Sequence, residues 1–401
     1  MRSNRLDGSE KRTYQETHPW IAFDHDLSSA PTILWMLLGE ARSKCQHIAG
    51  VPLEPDAAKR LYQIYLSKGV HATTSIEGNS LSEEQVEQRI EKRLRLPVSQ
   101  EYLGKEVDNI VAACNLITKR LMEDPESLLT PELICRFNEL TLEGLEVEDH
   151  VRPGRYRTES VGVAGYRGAP WEDCPFLVER LCEWLNQRSE SKDEGWRFVH
   201  AVTKAIFAHL YIAWIHPFGD GNGRTARLIE FLLLAQAGVP RPAAHLLSNH
   251  YNKTRDRYYA GLAKSSKAVS GPTDFLVYAV QGFVDGLAEQ LAYIRGLEWR
   301  VMWENHVHAS FRDKDTPAFR RQRHLILDLP EGVTHRGRLA LVSTRVAAEY
   351  AGKGDRTLTR DVNALIAMEL LVRTEGGFKP NRELILAFLP PRIGEPAPGL
   401  R

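Results

Sequence analysis

The sequence has no surplus of charge of either sign. Its 52 lysines and arginines are matched by 52 aspartates and glutamates over 401 residues, so no global field draws it to nucleic acid or to an anionic membrane. Cysteine is scarce. Five residues, Cys45, Cys114, Cys135, Cys174 and Cys182, are scattered without a Cys-x-x-Cys pair. An odd count with no spaced framework argues against a disulfide scaffold and suits reduced thiols, hence a cytoplasmic setting. Cys135 and Cys182 fall in apolar helical stretches and are expected in the core. No apolar run reaches the roughly 18–20 residues that span a bilayer, and no membrane partner is expected. The polar opening Met1–Glu16 lacks the hydrophobic centre of a secretion signal. Repeats and long low-complexity tracts are absent too. The length allows two or three domains.

Helical periodicity fills most of the chain, so the expected class is mainly α. Residues 31–49 and 56–70 read as an N-terminal helical region. Ser82-Glu-Glu-Gln85 has the form of a capping box at a helix start. Leu103–Leu121 and Pro131–Leu145 continue a bundle, and the glycine-rich 152–170 stretch is the candidate β-hairpin. Phe198, Val199, Val202, Ile206, Phe207, Leu210 and Trp214 recur at helical spacing. Pro217 ends that helix, because the residue before a proline is pushed out of the α region. A second buried helix is predicted over Thr225–Ala237, and a long one over 273–304.

Between these helices lies His216-Pro-Phe-Gly-Asp-Gly-Asn-Gly-Arg-Thr-Ala-Arg227. The run combines a proton acceptor (His216), a hard-cation ligand (Asp220), a loop rich in backbone N–H groups (Gly221, Asn222, Gly223) and two guanidiniums (Arg224, Arg227). Phosphate chemistry requires such parts together: a base for a hydroxyl, a metal, and donors for phosphate oxygens. The Gly-Asn-Gly run sits where a loop becomes a helix N-terminus, which favours anions. Arg224 and Arg227 are three apart and share a helix face. An EF-hand reading fails, since it needs Asp or Asn at 224 and Gly at 225.

The run resembles the HxFx(D/E)GNGRxxR signature of the Fic family, with every fixed position filled. The likeness covers most of residues 60–300, including Arg152-Pro-Gly-Arg-Tyr-Arg157 and Val161-Gly-Val163 at the start and flap of the domain, Pro175–Asn186 as the helix that follows, and Leu247–Leu262 as one helix closing the nucleotide pocket through Tyr258 and Tyr259. The resemblance implies a Fic-type helical bundle over 96–305 with a small β-hairpin flap. It also implies transfer of AMP from ATP to a Ser, Thr or Tyr hydroxyl of a target protein, itself included. His216 would be the general base, Asp220 the Mg2+ ligand, and Asn222 with the N–H groups of Gly221 and Gly223 the α-phosphate cradle. Arg224 and Arg227 would hold the β- and γ-phosphates, and Phe218 would anchor the loop at the nucleotide site. Intact glycines favour AMP transfer over the kinase variant of the fold. Phosphocholine and uridylyl transfer stay open.

Thr73-Thr-Ser-Ile-Glu77-Gly78 resembles the family's inhibitory motif, (S/T)xxxE(G/N), within a region 1–95 whose inhibitory helix spans about 65–78. There Glu77 would pair with Arg227 and compete with a phosphate oxygen for one guanidinium. A de-AMPylating or bifunctional enzyme would carry the same residues. His209 is expected as a hydrogen-bonded core residue. Residues 318–391 read as three helices (Phe319–Leu329, Ser343–Ala351, Thr357–Leu371) and a hairpin turning at Gly376-Gly377, similar to a winged helix-turn-helix. Such a unit would offer Arg356, Thr357, Thr359, Arg360, Arg373 and Lys379 to DNA. The segment is only slightly basic, and a DNA-binding regulator with a vestigial core is therefore the lesser alternative. Many relatives dimerise, so a homodimer is a further partner class.

Overall fold

The computed structural model describes residues 11–386, apart from 25, 164–165 and 188–190. Residues 1–10 of the expected N-terminal region, the flap tip at 164–165 and residues 387–391 of the expected C-terminal domain lie outside the described residues. The helices are α1 (Tyr14–Thr17), α2 (Thr32–Gly50), α3 (Pro55–Ile76), α4 (Glu83–Ile90), α5 (Glu101–Glu123), α6 (Pro131–Leu142), α7 (Cys174–Asn186), α8 (Glu194–Ile215), α9 (Asn222–Gln236), α10 (Arg241–Ala244), α11 (Leu246–Lys253), α12 (Arg255–Ser265), α13 (Gly271–Ser310), α14 (Pro317–Asp328), α15 (Thr344–Tyr350) and α16 (Asp355–Ala367). Among the described residues two antiparallel hairpins accompany them, β1 (Gly162–Val163) with β2 (Tyr166–Arg167), and β3 (Leu371–Thr374) with β4 (Gly377–Pro380). The chain divides into two compact units, parted between Gln290 and Leu291.

The first unit is built around α8, which packs against α9, α2 and α7. From Val202 to Ile215 it buries nearly every side chain, Phe207, Leu210, Tyr211 and Trp214 among them. By length and composition α8 could cross a membrane, which corrects the expectation that no stretch is so apolar. However, 72% of its most apolar window is buried inside the fold, so its apolar surface already has partners. The helix stops at Ile215, two residues before Pro217. His216 caps it in the left-handed region at φ 50°, its N–H donating to Ile212 O at 2.9 Å.

Three expectations shift. The 56–70 segment runs on without a break to Ile76, so the residues before Glu77 are the last turns of a 22-residue helix. Leu247–Leu262 is two helices, not one, because Thr254 leaves the α region and its hydroxyl bonds His250 O and the Tyr278 hydroxyl. Cys135 is half-buried, unlike the buried Cys182. The capping box forms as read: Gln85 N–H donates to Ser82 Oγ and Ser82 N–H to Gln85 Oε1.

Among the described residues the second unit holds the end of α13 from Leu291, helices α14 to α16, and the β3–β4 hairpin, around Trp303, Val307, Leu325, Leu339, Leu365 and Phe378. Asp361 is wholly buried there, accepting from Arg321 Nε at 2.6 Å, Gln322 Nε2 at 3.0 Å and Tyr350 OH at 3.1 Å. The hairpin turns at Glu375-Gly376, one residue earlier than expected. Gly377 already pairs with Thr374 at φ 147°, and a side chain there would strike Thr334 O. Arg356, Arg360 and Arg373 are exposed, while Thr359 accepts from Arg336.

Candidate active site

The 216–227 run folds as a cap, a tight loop and a helix start. Phe218 is buried and stacks on Tyr156, with which it forms an isolated β-bridge. Asn222 closes the loop on itself: its Oδ1 accepts from Phe218 N–H at 3.0 Å and its Nδ2 donates to Phe218 O at 2.8 Å. Gly221 sits at φ 76°, where a side chain would meet Asn138. Helix α9 therefore starts at Asn222, and its first N–H groups have no carbonyl before them. The donors available to the expected cradle are thus backbone groups. The side chain of Asn222 shapes the loop, and the Gly221 N–H is already held by Asp220 Oδ1 at 2.5 Å.

Both arginines of α9 are buried, which is costly unless each finds partners. Arg224 reaches Asp220 at 3.4 Å and Glu106 at 3.8 Å, while its Nε has no acceptor. Arg227 is held from α3: its Nε donates to Thr73 Oγ1 at 2.6 Å, and its Nη2 donates to Thr73 O at 3.1 Å and to Glu77 Oε1 at 2.6 Å. Glu77 ends α3, followed by Gly78 at φ 103°. Its carboxylate lies over the bare Cα of Gly223, filling the space a side chain there would need. The carboxylate thus occupies the helix N-terminus that suits a phosphate. Burial acts to raise the pKa of Glu77, but the charge and hydrogen bond of Arg227 outweigh it and hold the acid below its usual range.

His216 is half-buried, and its pKa is pushed down to about 4 by desolvation and by the nearby Arg157 cation. Glu77 and Asp220 pull the other way. The imidazole is therefore neutral near pH 7 and free to take a proton. Asp220 is half-exposed. Among the described residues no cluster of three His, Cys, Asp or Glu side chains could hold a metal alone. One half-exposed carboxylate beside a helix N-terminus fits magnesium, which is commonly held by one or two carboxylates together with substrate phosphates.

The remaining expected residues lie around Arg227. Tyr258 is buried at 3% exposure, behind the guanidinium, with its hydroxyl 2.8 Å from His209 Nε2. It reaches the site through Arg227, whose charge it faces. Tyr259 is 42% exposed and donates to Ile76 O at 3.2 Å. Arg255 donates to Ser75 O at 2.7 Å, so α12 grips the last carbonyls of α3. His209 is wholly buried, as expected of a core residue.

Sequence reasoning assigned no role to Asn138, Arg157, Arg255 or Glu106. Asn138 donates to Asp220 O at 2.8 Å and accepts from Gly154 N–H at 3.0 Å, pinning the motif loop to the segment before the flap. A polar residue on the apolar face of α6 was the one available signal.

Residues 128–234 match the model of the Fic/DOC family. The chain is similar to protein adenylyltransferase fic-1 of Caenorhabditis elegans, 29% identical over 193 residues that cover 48% of this chain and 35% of that protein. It is also similar to protein adenylyltransferase Fic of Drosophila virilis, 30% identical over 43% of this chain and 33% of that protein. The chain therefore spans about a third of the length of these two relatives. Among solved structures, a Fic family protein from Desulfovibrio desulfuricans G20 superposes with a TM-score of 0.54 over 88% of this chain and 94% of that one. At 21% identity that likeness concerns the fold alone. A fragment of Fic-1 from C. elegans gives 0.53 at 25% identity, over 66% and 73% of the two chains.

Proposed function

This chain carries a Fic domain, and from that premise we propose that it is an autoinhibited protein adenylyltransferase moving AMP from ATP to a Ser, Thr or Tyr hydroxyl of a protein. The observation that carries the reading is the convergence of four groups: neutral His216, the N-terminus of α9, buried Arg227, and the Glu77 carboxylate lying over Gly223.

In the reaction the hydroxyl oxygen attacks the α-phosphorus while its proton passes to the His216 imidazole. The bond from the α-phosphorus to the bridging oxygen breaks, and pyrophosphate leaves. The N–H groups that open α9 meet the charge that grows on the phosphate oxygens. Arg224 and Arg227 bind the outer phosphates as planar donors. Asp220 would hold magnesium, which would neutralise phosphate charge.

Glu77 restrains this chemistry because it takes the Arg227 donors that a γ-phosphate needs. An ATP that binds around it is displaced from in-line geometry, and a displacement of about 1 Å can cost on the order of a hundredfold in rate. Intact-mass analysis after incubation with ATP and Mg2+ tests the reading. A gain of one AMP in Glu77→Gly, absent from the parent and from Glu77→Gly/His216→Ala, supports it. No gain on the chain or on an offered protein, with loss of AMP from a pre-modified one, would replace it by the hydrolytic alternative.

A further inference from the structure

Arg157 lies outside the signature run, yet its guanidinium is buried at 4% exposure beside the proposed base. Its Nε donates to His216 O at 2.7 Å, its Nη1 to Glu159 O at 2.6 Å, and its Nη2 to Ala169 O and, at 3.4 Å, to Ile215 O. Its own N–H donates to Pro217 O at 3.0 Å. The four guanidinium acceptors are all main-chain carbonyls. Two of them, on Ile215 and His216, close helix α8, where the helix dipole favours a cation. The other two, on Glu159 and Ala169, lie on either side of the β1–β2 hairpin. One planar group thus ties both legs of the flap to the residue that ends α8. Gly168 leaves the room: a Cβ there would come within 2.8 Å of His216 Cβ and 3.0 Å of Arg157 Nη2.

We propose that Arg157 is a positioning residue that sets the left-handed backbone of His216 and holds the flap in register with it, so that base and flap move as one piece. The need is geometric. His216 is a non-glycine residue at φ 50°, a conformation L-residues adopt only when their surroundings enforce it. A Lys at 157 keeps the charge but is a point donor without the fork that reaches both sides. The proposal rests on His216 being the base of the reading above, while its claim about the flap has its own readout.

The test places Arg157→Lys and Arg157→Gln in the full chain carrying Glu77→Gly. Three quantities are measured: transfer kinetics, ATP affinity by calorimetry, and hydrogen exchange of the amides at 160–163, 166–169 and 216–218. The expected result is a kcat lowered by about a hundredfold with ATP affinity unchanged, and faster exchange confined to those amides. Arg157→Lys with the kcat and exchange of its Glu77→Gly parent overturns the proposal. Loss of ATP affinity with exchange raised throughout the first unit overturns it too, since that marks a merely structural role. If Glu77→Gly itself transfers no AMP, the transferase reading fails, and local exchange in Arg157→Lys still decides whether Arg157 couples flap and cap.

Discussion

Glu77→Gly is the perturbation whose size follows most directly from the structure. The substitution removes a charge-assisted hydrogen bond of 2.6 Å between a half-buried carboxylate and a buried guanidinium. Such a bond contributes about 1.5–3 kcal/mol, and at 1.4 kcal/mol per factor of ten the closed arrangement is favoured roughly ten- to a hundredfold. Transfer by Glu77→Gly should therefore exceed that of the parent by a similar factor, read as the initial rate of AMP incorporation at saturating ATP. The other side of the same bond is stability. Arg227 keeps Thr73 and faces Tyr258 but loses its counter-ion, so the ligand-free variant should melt below the parent. ATP should raise its Tm by more than the parent's, because the phosphate restores what the carboxylate supplied. Equal rates in parent and variant would refute the restraint, whatever the thermal shifts show.

Other expectations follow from the same geometry. His216→Ala should abolish transfer while calorimetry still detects ATP binding, since the phosphate donors belong to α9; loss of binding would make His216 a structural cap. His216 and His245 each have a pKa lowered from 6.5 to about 4, mainly by burial. Their neutral forms are favoured in the fold, so their stabilisation is full above pH 6.5 and is lost as pH falls towards 4. Tm should decline across that window, and His245→Gln should flatten the decline; an unchanged slope would count against the assignment. Asp361→Ala should destabilise the second unit by about 3–5 kcal/mol, because it strands a buried Arg321. Calorimetry of the full chain should show that loss, and an unaltered thermogram would mean the Arg321–Asp361 pair is dispensable.

The motif was legible because its chemistry is local. Twelve consecutive residues contain the proposed base, the carboxylate, the backbone donors and the arginines, and Pro217 announces the break that turns them towards one another. Helix existence was readable wherever apolar spacing was regular, as in α5, α8 and α13. Less was visible where a single polar side chain redirects the backbone. Thr254 splits one expected helix into α11 and α12 through bonds to His250 and Tyr278, and no periodicity registers that. The amide of Asn222 reads as a phosphate donor in a string of letters, and Asn138 has no role there. In the fold Asn222 closes the motif loop on itself, and Asn138 ties that loop to the segment before the flap.

By itself the sequence determined the chemistry available at residues 216–227, the helical class, and the presence of Glu77 ahead of a glycine. Its balanced charge and its apolar periodicity come from the same residues wherever they end up in space. Only the tertiary structure decided that Glu77 lies over Gly223 and on Arg227, 150 residues away in the chain, and that Arg157 reaches both the flap and the cap of α8. Tyr258 stands behind a guanidinium rather than in the open for the same kind of reason. An ion pair or a fork of hydrogen bonds depends on distances of about 3 Å, and the packing of distant helices sets such distances.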